Sequence, residues 1–177
     1  MLTTSSIGGG GGGVFCYEAS PLFFNCTIAD NITDDVGGGL YARDDSSPQF
    51  NGCEFLDNIS EYGGGCYLRS LSEPVMINTH IVGNTAANTG GGIVLKDDAN
   101  LIAEQLNVTG NISEGLGGGL YINNANPALD FMLVAYNSAS SGGGVYIRSS
   151  SFPVLNNATI SNNSANLYGD GFYLRDN

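Results

Sequence analysis

The chain has 177 residues, of which 27 are glycine, none is tryptophan and only 12% are charged. This composition excludes both a disordered acidic tail and an ordinary helical domain. The formal net charge of −12 argues against nucleic acid or an anionic membrane as a partner, because phosphate recognition needs clustered cations.

Residues 1–10 precede the first repeat and are predicted to be a lead-in. The stretch from Met1 to Ile7 lacks the basic and apolar regions of a signal peptide. No apolar run is long enough for a membrane-spanning helix, so we expect no direct membrane span. Export has to be inferred from other features.

Glycine triplets mark an internal repeat. They begin at Gly11, Gly37, Gly63, Gly90, Gly117 and Gly142, and a variant, Gly169-Asp170-Gly171, follows. The intervals are 26, 26, 27, 27, 25 and 27 residues. Because glycine reaches positive φ without strain and lets stacked backbones approach closely, each triplet predicts a sharp corner.

Two further columns keep the same period. All five prolines stand shortly before an apolar residue, and each of six asparagines stands three residues after one. These asparagines are Asn31, Asn58, Asn84, Asn111, Asn137 and Asn163. An amide in a stack can bond to the amides above and below it, so we predict an internal asparagine ladder.

Each repeat is predicted to contain three short strands. The first follows the glycines, as in Leu40-Tyr41-Ala42; the second follows proline, as in Val75-Met76-Ile77; the third is Cys26-Thr27-Ile28 or its equivalent. Turn residues separate the strands, and no stretch has a helical period. The chain is therefore predicted to be all-β, a right-handed three-stranded parallel β-helix, or solenoid, of about six coils. Residues 11–177 form its single domain.

The four cysteines allow two interpretations. Cys26 and Cys53 occupy the same inward position in successive coils. They are either small core residues or a stacked disulfide, because rungs about 4.8 Å apart keep the Cα atoms within bonding range. Cys16 and Cys66 lie two coils apart, and the spacing fits no zinc motif.

All five cations fall at one repeat position, the fourth residue after the glycines. They are Arg43, Arg69, Lys96, Arg148 and Arg175. By alternation they face outward beside an aromatic column of Phe15, Tyr41, Tyr67, Tyr121, Tyr146 and Tyr173. This stripe either stabilises the sheet through ring stacking and cation–π contacts, or it is a docking face for glycans or a neighbouring subunit.

Candidate modification and metal sites are few. Sequons at Asn25, Asn107 and Asn157 are predicted to face outward and to accept glycans in a eukaryotic host, whereas those at Asn31, Asn58 and Asn111 point into the coil. The acidic pairs Asp44-Asp45 and Asp97-Asp98 occupy equivalent loops and are interpreted as solvated turns. The alternative is a low-affinity calcium site. No other cofactor and no catalytic residue is predicted.

The paired motifs resemble those of the chlamydial polymorphic membrane proteins, in which Gly-Gly-Ala-aliphatic alternates with Phe-x-x-Asn. Phe55-Leu56-Asp57-Asn58 matches the second motif in full. The other copies have Ile or Val in place of Phe, and the first motif occurs as Gly-Gly-Gly followed by Val, Leu, Cys or Ile. The resemblance runs from about Gly11 to Leu174 and reaches, more distantly, the pectate lyase superfamily.

The resemblance implies a secreted or cell-surface β-helix that serves as a stalk, an adhesin or a fibre. We therefore expect a non-catalytic structural or adhesive element, which binds cell-surface glycans or associates with itself end to end or laterally. The alternatives are a calcium-assisted polysaccharide lyase or hydrolase and a glycan-binding module. Because no cap follows the last repeat, we expect either a fragment of a longer protein or a subunit that continues into its neighbour.

Overall fold

The chain folds into stacked coils whose strands pair in parallel with their counterparts in the next coil. The structure is a computed structural model and describes residues 10–175. Of the predicted lead-in, residues 1–9 lie outside the described residues. Within residues 10–175 there is no helix, and so no helix that could cross a membrane.

Three parallel sheets, here called A, B and C, run along the axis. Sheet A follows the glycine triplets and contains Val14–Tyr17, Leu40–Arg43, Cys66–Arg69, Ile93–Lys96, Leu120–Asn123, Val145–Arg148 and Phe172–Arg175. Sheet C precedes the triplets and contains Ile59–Tyr62, Thr85–Thr89, Ile112–Ser113, Ser138–Ser141 and Ser164–Tyr168.

Sheet B lies between A and C in chain order and has two strand segments in most coils. Its strands are Leu22–Phe24, Thr27–Ala29, Gln49–Asn51, Glu54–Leu56, Val75–Val82, Ile102–Thr109, Ala128–Asp130, Leu133–Ala135, Val154–Asn156 and Thr159–Ser161. The two eight-residue strands bend at positive-φ residues, Asn78 and Gln105. The all-β, three-sheet parallel solenoid predicted from the repeat is therefore confirmed.

The assignment of strands to sheets differs from the prediction in one respect. The predicted second and third strands belong to the same sheet B, and the third sheet is formed by residues that follow the asparagines. The inward side chains of sheet C are small, and half of them are polar: Ser60, Ala86, Ser113 and Ala139. These strands lack the alternation between apolar and polar residues by which a half-buried strand is recognised.

A glycine corner joins sheet C to sheet A, and Gly63–65 shows why the position needs glycine. Gly63 has a φ of +65°, which residues with a Cβ adopt only with strain. A Cβ on Gly64 would stand 2.5 Å from the carbonyl oxygen of Gly91 in the next coil. The corner thus combines a left-handed turn with close backbone contact between coils.

The main core fills the space between the three sheets. Sheet A directs alternate residues such as Leu40 and Leu68 inward, and sheet B contributes Phe50, Phe55 and Met76. The rings of Phe50 and Phe55 meet edge to face at 5.1 Å. Burial of these columns along the axis holds each coil to the next.

Candidate functional site

The predicted aromatic and cation stripe lies on the outer side of sheet A, turned away from the main core. Register places the aromatic column in one line, with Val94 between Tyr67 and Tyr121. The cations end their strands one rung apart, except that Asn123 takes the place of a cation in one coil. The alternation on which this prediction rested is present.

The tyrosines are nevertheless buried, which corrects the expectation of an exposed aromatic face. Tyr41, Tyr67, Tyr121 and Tyr146 are 5%, 7%, 7% and 1% exposed. They form a second apolar cluster with Val36, Tyr62, Leu116 and Tyr173. The cause is the sharp corner, because it folds the residues that precede each glycine triplet over the outer face of sheet A. Phe15, in the first coil, is exposed.

Ring contacts run along the column in two separate groups. Phe15 contacts Tyr41 at 5.2 Å and Tyr41 contacts Tyr67 at 5.7 Å, measured between ring centroids. Tyr121 contacts Tyr146 at 5.6 Å, and Tyr146 contacts Tyr173 at 5.2 Å. Val94 separates the two groups.

Burial changes the acidity of the tyrosine phenols. Desolvation raises the pKa of Tyr67 to about 12, although the nearby Arg69 acts in the opposite direction. Desolvation also raises the pKa of Tyr121, against the effect of Arg148. These phenols therefore stay neutral at physiological pH, as expected for packing residues.

The cations lie at the margin of this cluster and are partly exposed. Arg43 forms an ion pair with Asp44, and its guanidinium lies 5.5 Å from the ring centroid of Tyr17. The ammonium of Lys96 is 3.7 Å from a carboxylate oxygen of Asp97. Solvent screens such pairs, so they contribute little to stability.

The other guanidiniums bond to neighbouring hydroxyls. Arg69 Nε donates to Ser70 Oγ at 3.1 Å, and Arg148 Nε donates to Ser149 Oγ at 3.2 Å. Arg175 is exposed. The stripe therefore has a buried aromatic part and a more accessible cationic edge.

The six predicted ladder asparagines form an unbroken line of side-chain hydrogen bonds. Each Nδ2 donates to the Oδ1 of the asparagine in the next coil, over distances of 2.9 to 3.0 Å from Asn31 through to Asn163. Each Oδ1 also accepts the backbone N–H of the preceding asparagine, as Asn84 does from Asn58 at 2.9 Å. From Asn58 onward, Nδ2 also donates to a backbone carbonyl of the preceding coil.

The acidic loops do not bring several carboxylates together. Asp44 and Asp97 pair with Arg43 and Lys96, and their neighbours Asp45 and Asp98 are exposed turn residues with positive φ. Over residues 10–175, no group of three or more His, Cys, Asp or Glu side chains could hold a metal ion.

All four cysteines are described, and all four are free thiols. Cys26 and Cys53 do stack in successive coils, but the contact between them is a 3.5 Å hydrogen bond from Cys26 N to Cys53 Sγ. The structure thus has no Cys26–Cys53 disulfide and places both residues at the core, as in the packing interpretation. Burial raises the pKa of the Cys66 thiol.

The three predicted outward sequons differ in accessibility. Asn25 is exposed at a positive-φ turn position. Asn107 Nδ2 is bonded to His80 Nδ1 at 3.2 Å, and Asn157 Nδ2 is bonded to Asp130 at 2.9 Å. Asn25 and Asn157 are exposed residues, whereas Asn107 is half-buried.

Two features of sheet B escaped sequence reasoning. A groove of about 240 Å³ runs over Val75, Ile77, Ile102 and Ala128, and the register-paired Glu104 and Asp130 stand beside it. These residues differ from coil to coil, so they form no repeated column that the sequence would have revealed.

The second feature is a pair of aromatic residues at turns of the fifth coil. Phe131 and Tyr136 are 56% and 68% exposed and have φ values of 50° and 59°. The equivalent turn residues in the other coils are Asn, Asp, Gly or Gln. Comparison of those turn positions would have identified the pair from sequence.

Comparison with known proteins supports the fold and leaves the activity open. The model of one protein family, described as a right handed beta helix region, matches residues 2–131. No curated protein and no solved structure matches the chain significantly. The family match spans more than half of the chain and agrees with the parallel solenoid and its predicted handedness. The chain therefore belongs to the right-handed β-helix family.

Proposed function

We propose that the chain is a non-catalytic extracellular or cell-surface β-helix that acts as a structural, fibre-forming or adhesive element. The observation that carries this proposal is that two repeated columns of side chains bind one coil to the next. The asparagine ladder does so inside the coil, and the tyrosine column does so outside it. A rod joined along two lines resists bending, as a stalk or fibre requires.

The extracellular location rests on the resemblance of the glycine and asparagine motifs to those of polymorphic membrane proteins. Exposed apolar residues support a role in association. Ile77, Ile102 and Val154 are exposed on strands of sheet B, and Phe131 and Tyr136 are exposed at turns that follow strands of the same sheet. Apolar patches of this kind often mark interaction surfaces.

One observation favours the enzyme alternative, a polysaccharide lyase or hydrolase. Glu104 and Asp130 occupy adjacent rungs beside an open groove, and paired carboxylates perform acid and base catalysis in glycoside cleavage. Hydrogen bonds from Phe131 N and Asn157 Nδ2, at 3.0 and 2.9 Å, already engage Asp130 Oδ1. These two bonds favour a structural role for Asp130, which anchors the turn at Phe131 and the Asn157 side chain of the next coil.

Two measurements on the purified chain test the proposal. Sedimentation velocity over a concentration series should show association into species larger than one chain. Incubation with neutral and acidic polysaccharides should release no unsaturated or reducing ends. Release that disappears in Glu104→Gln would establish the enzyme alternative, and a chain that stays monomeric and retains no glycan would contradict the structural and adhesive role.

A further inference from the structure

The charges of the chain favour contact between unlike faces of two copies. All five cations lie on sheet A, although the chain carries 17 acids. Sheet B has Glu54, Glu104 and Asp130 on its strands and no cation. Contact between two sheets A would oppose cation to cation, and contact between two sheets B would oppose acid to acid. Sheet C also has an acid, Glu61, and no cation on its strands. Charge therefore favours contact between sheet A of one copy and an acidic sheet of another, and the exposed ring described below assigns that role to sheet B.

Sheet A contains a hole where the aromatic column is interrupted. Val94 occupies a position that holds Phe or Tyr in the other six rungs, and a cavity of about 140 Å³ remains between Tyr67 and Tyr121. Lys96 and Asn123 line it as well. Val94 itself is 1% exposed because its neighbours cover it, so the hole is a narrow one between two tyrosine rings, with an ammonium at its edge.

A turn between two strands of sheet B carries an aromatic ring that is largely exposed. Phe131 protrudes from the fifth coil, 56% exposed, at a φ of 50° that is unfavourable for a bulky residue. Strained, exposed residues of this kind persist where function needs them. Asp130 precedes it and supplies a carboxylate on the same sheet.

We propose that a second copy of this chain inserts Phe131 into the hole above Val94, with Asp130 facing Lys96. The ring replaces the one missing from the tyrosine column, and the carboxylate faces an ammonium whose own ion pair, at 3.7 Å to Asp97, is loose. Hole and ring lie on different sheets, so after the contact forms one copy still has its own ring free and the other copy still has its own hole free. Such a heterologous contact propagates into chains of subunits.

This inference rests on the proposed structural role and specifies its contact. It predicts that Phe131→Asn weakens association at least about tenfold, as expected when an aromatic anchor is lost. Asparagine occupies the equivalent turn in other coils, so the same variant should raise the midpoint of thermal unfolding by about 2 to 4 °C. If Phe131→Asn gains stability and loses association, Phe131 is a contact residue rather than a structural one.

Val94→Tyr fills the hole and should also abolish propagation. Each of these two variants retains the site that the other lacks. An equimolar mixture of Phe131→Asn and Val94→Tyr should therefore form a one-to-one complex in sedimentation velocity and grow no further. Lys96→Gln, which removes the charge and keeps most of the side-chain length at the edge of the hole, provides a second variant if Val94→Tyr does not fold, and it should weaken association and reduce its salt dependence.

Tyr136→Asn is the matched control, because it removes an exposed aromatic at positive φ about 16 Å along the same sheet. It should raise stability and leave association within about twofold of wild type. A wild type that does not associate overturns both this inference and its basis in self-association. A wild type that associates while Phe131→Asn and Val94→Tyr associate equally well overturns only the inference.

Discussion

The asparagine ladder and the tyrosine column run side by side along the rod, but only the ladder repeats without exception. Asparagine occupies all six ladder positions, whereas the aromatic column contains Val94. A missing amide would leave buried donors and acceptors without partners, and no rearrangement within a dry core restores them. A missing ring leaves only a hole. A polar column is therefore intolerant of gaps, whereas an apolar column tolerates them at a moderate cost.

Interruption of the ladder should have the largest effect. Asn84→Leu removes two bonds donated by Nδ2, to Phe55 O and Asn111 Oδ1, and two accepted by Oδ1 from Asn58. Because several buried groups lose their partners, we expect the free energy of unfolding to fall by at least about 4 kcal/mol in urea denaturation.

Asn88→Leu is the control for the ladder variant, because Asn88 is exposed and its side chain bonds to the exposed hydroxyl of Tyr62 rather than to a buried group. It should cost less than about 1 kcal/mol. Similar losses for the two variants would contradict the special role of the ladder.

Two glycine substitutions separate the cost of close contact between coils from the cost of backbone strain. Gly64→Ala would place a Cβ 2.5 Å from Gly91 O and 2.6 Å from Thr85 O, so the coils would have to move apart. We expect a loss of at least about 3 kcal/mol. Gly110→Ala meets nothing closer than 3.9 Å and suffers only the strain of its φ of +66°, about 1 to 2 kcal/mol. Chemical denaturation of both variants measures the difference, and equal losses would mean that contact between coils is unimportant.

A second gap in the tyrosine column should cost less than a gap in the ladder. Tyr121→Val reproduces the situation at Val94 and removes the stacked contact with Tyr146. We expect the chain to fold, with its free energy of unfolding lower by about 2 to 3 kcal/mol. Circular dichroism and urea denaturation provide the comparison with Asn84→Leu, and a larger loss for Tyr121→Val would reverse the ranking of the two columns.

The smallest effect is the pH dependence that tyrosine burial creates. Because the pKa of Tyr67 rises from 10.0 to about 12 on folding, the unfolded chain loses this proton first. The contribution of Tyr67 to stability is therefore complete below pH 10 and declines as the pH rises towards 12. Tyr67→Phe should make the decline shallower, and phenolate absorbance should show fewer late-titrating tyrosines in the variant. An unchanged titration curve would mean that Tyr67 is not buried.

The repeat was sufficient to predict the parallel solenoid, its coil length and the inward position of the asparagines. Few folds accommodate a 26-residue repeat with glycine at each corner. An asparagine repeated beside apolar residues has to hydrogen-bond its amide to the same residue in the neighbouring coils. Alternation also placed the tyrosines correctly on the outer side of sheet A. It could not predict their burial, which depends on how far the preceding residues fold over them.

Local sequence determined which residues lie in register, and the tertiary structure determined which of them reach solvent. Sheet C escaped prediction because its inward side chains are only serine or alanine, and a strand becomes recognisable by pattern only when its buried side is clearly apolar. The hole above Val94 depends on Tyr67 and Tyr121 from the neighbouring coils. The exposure of Phe131 depends on a turn that directs its ring away from the coil. Both features arise between coils, because accessibility is a property of surfaces that distant segments build together.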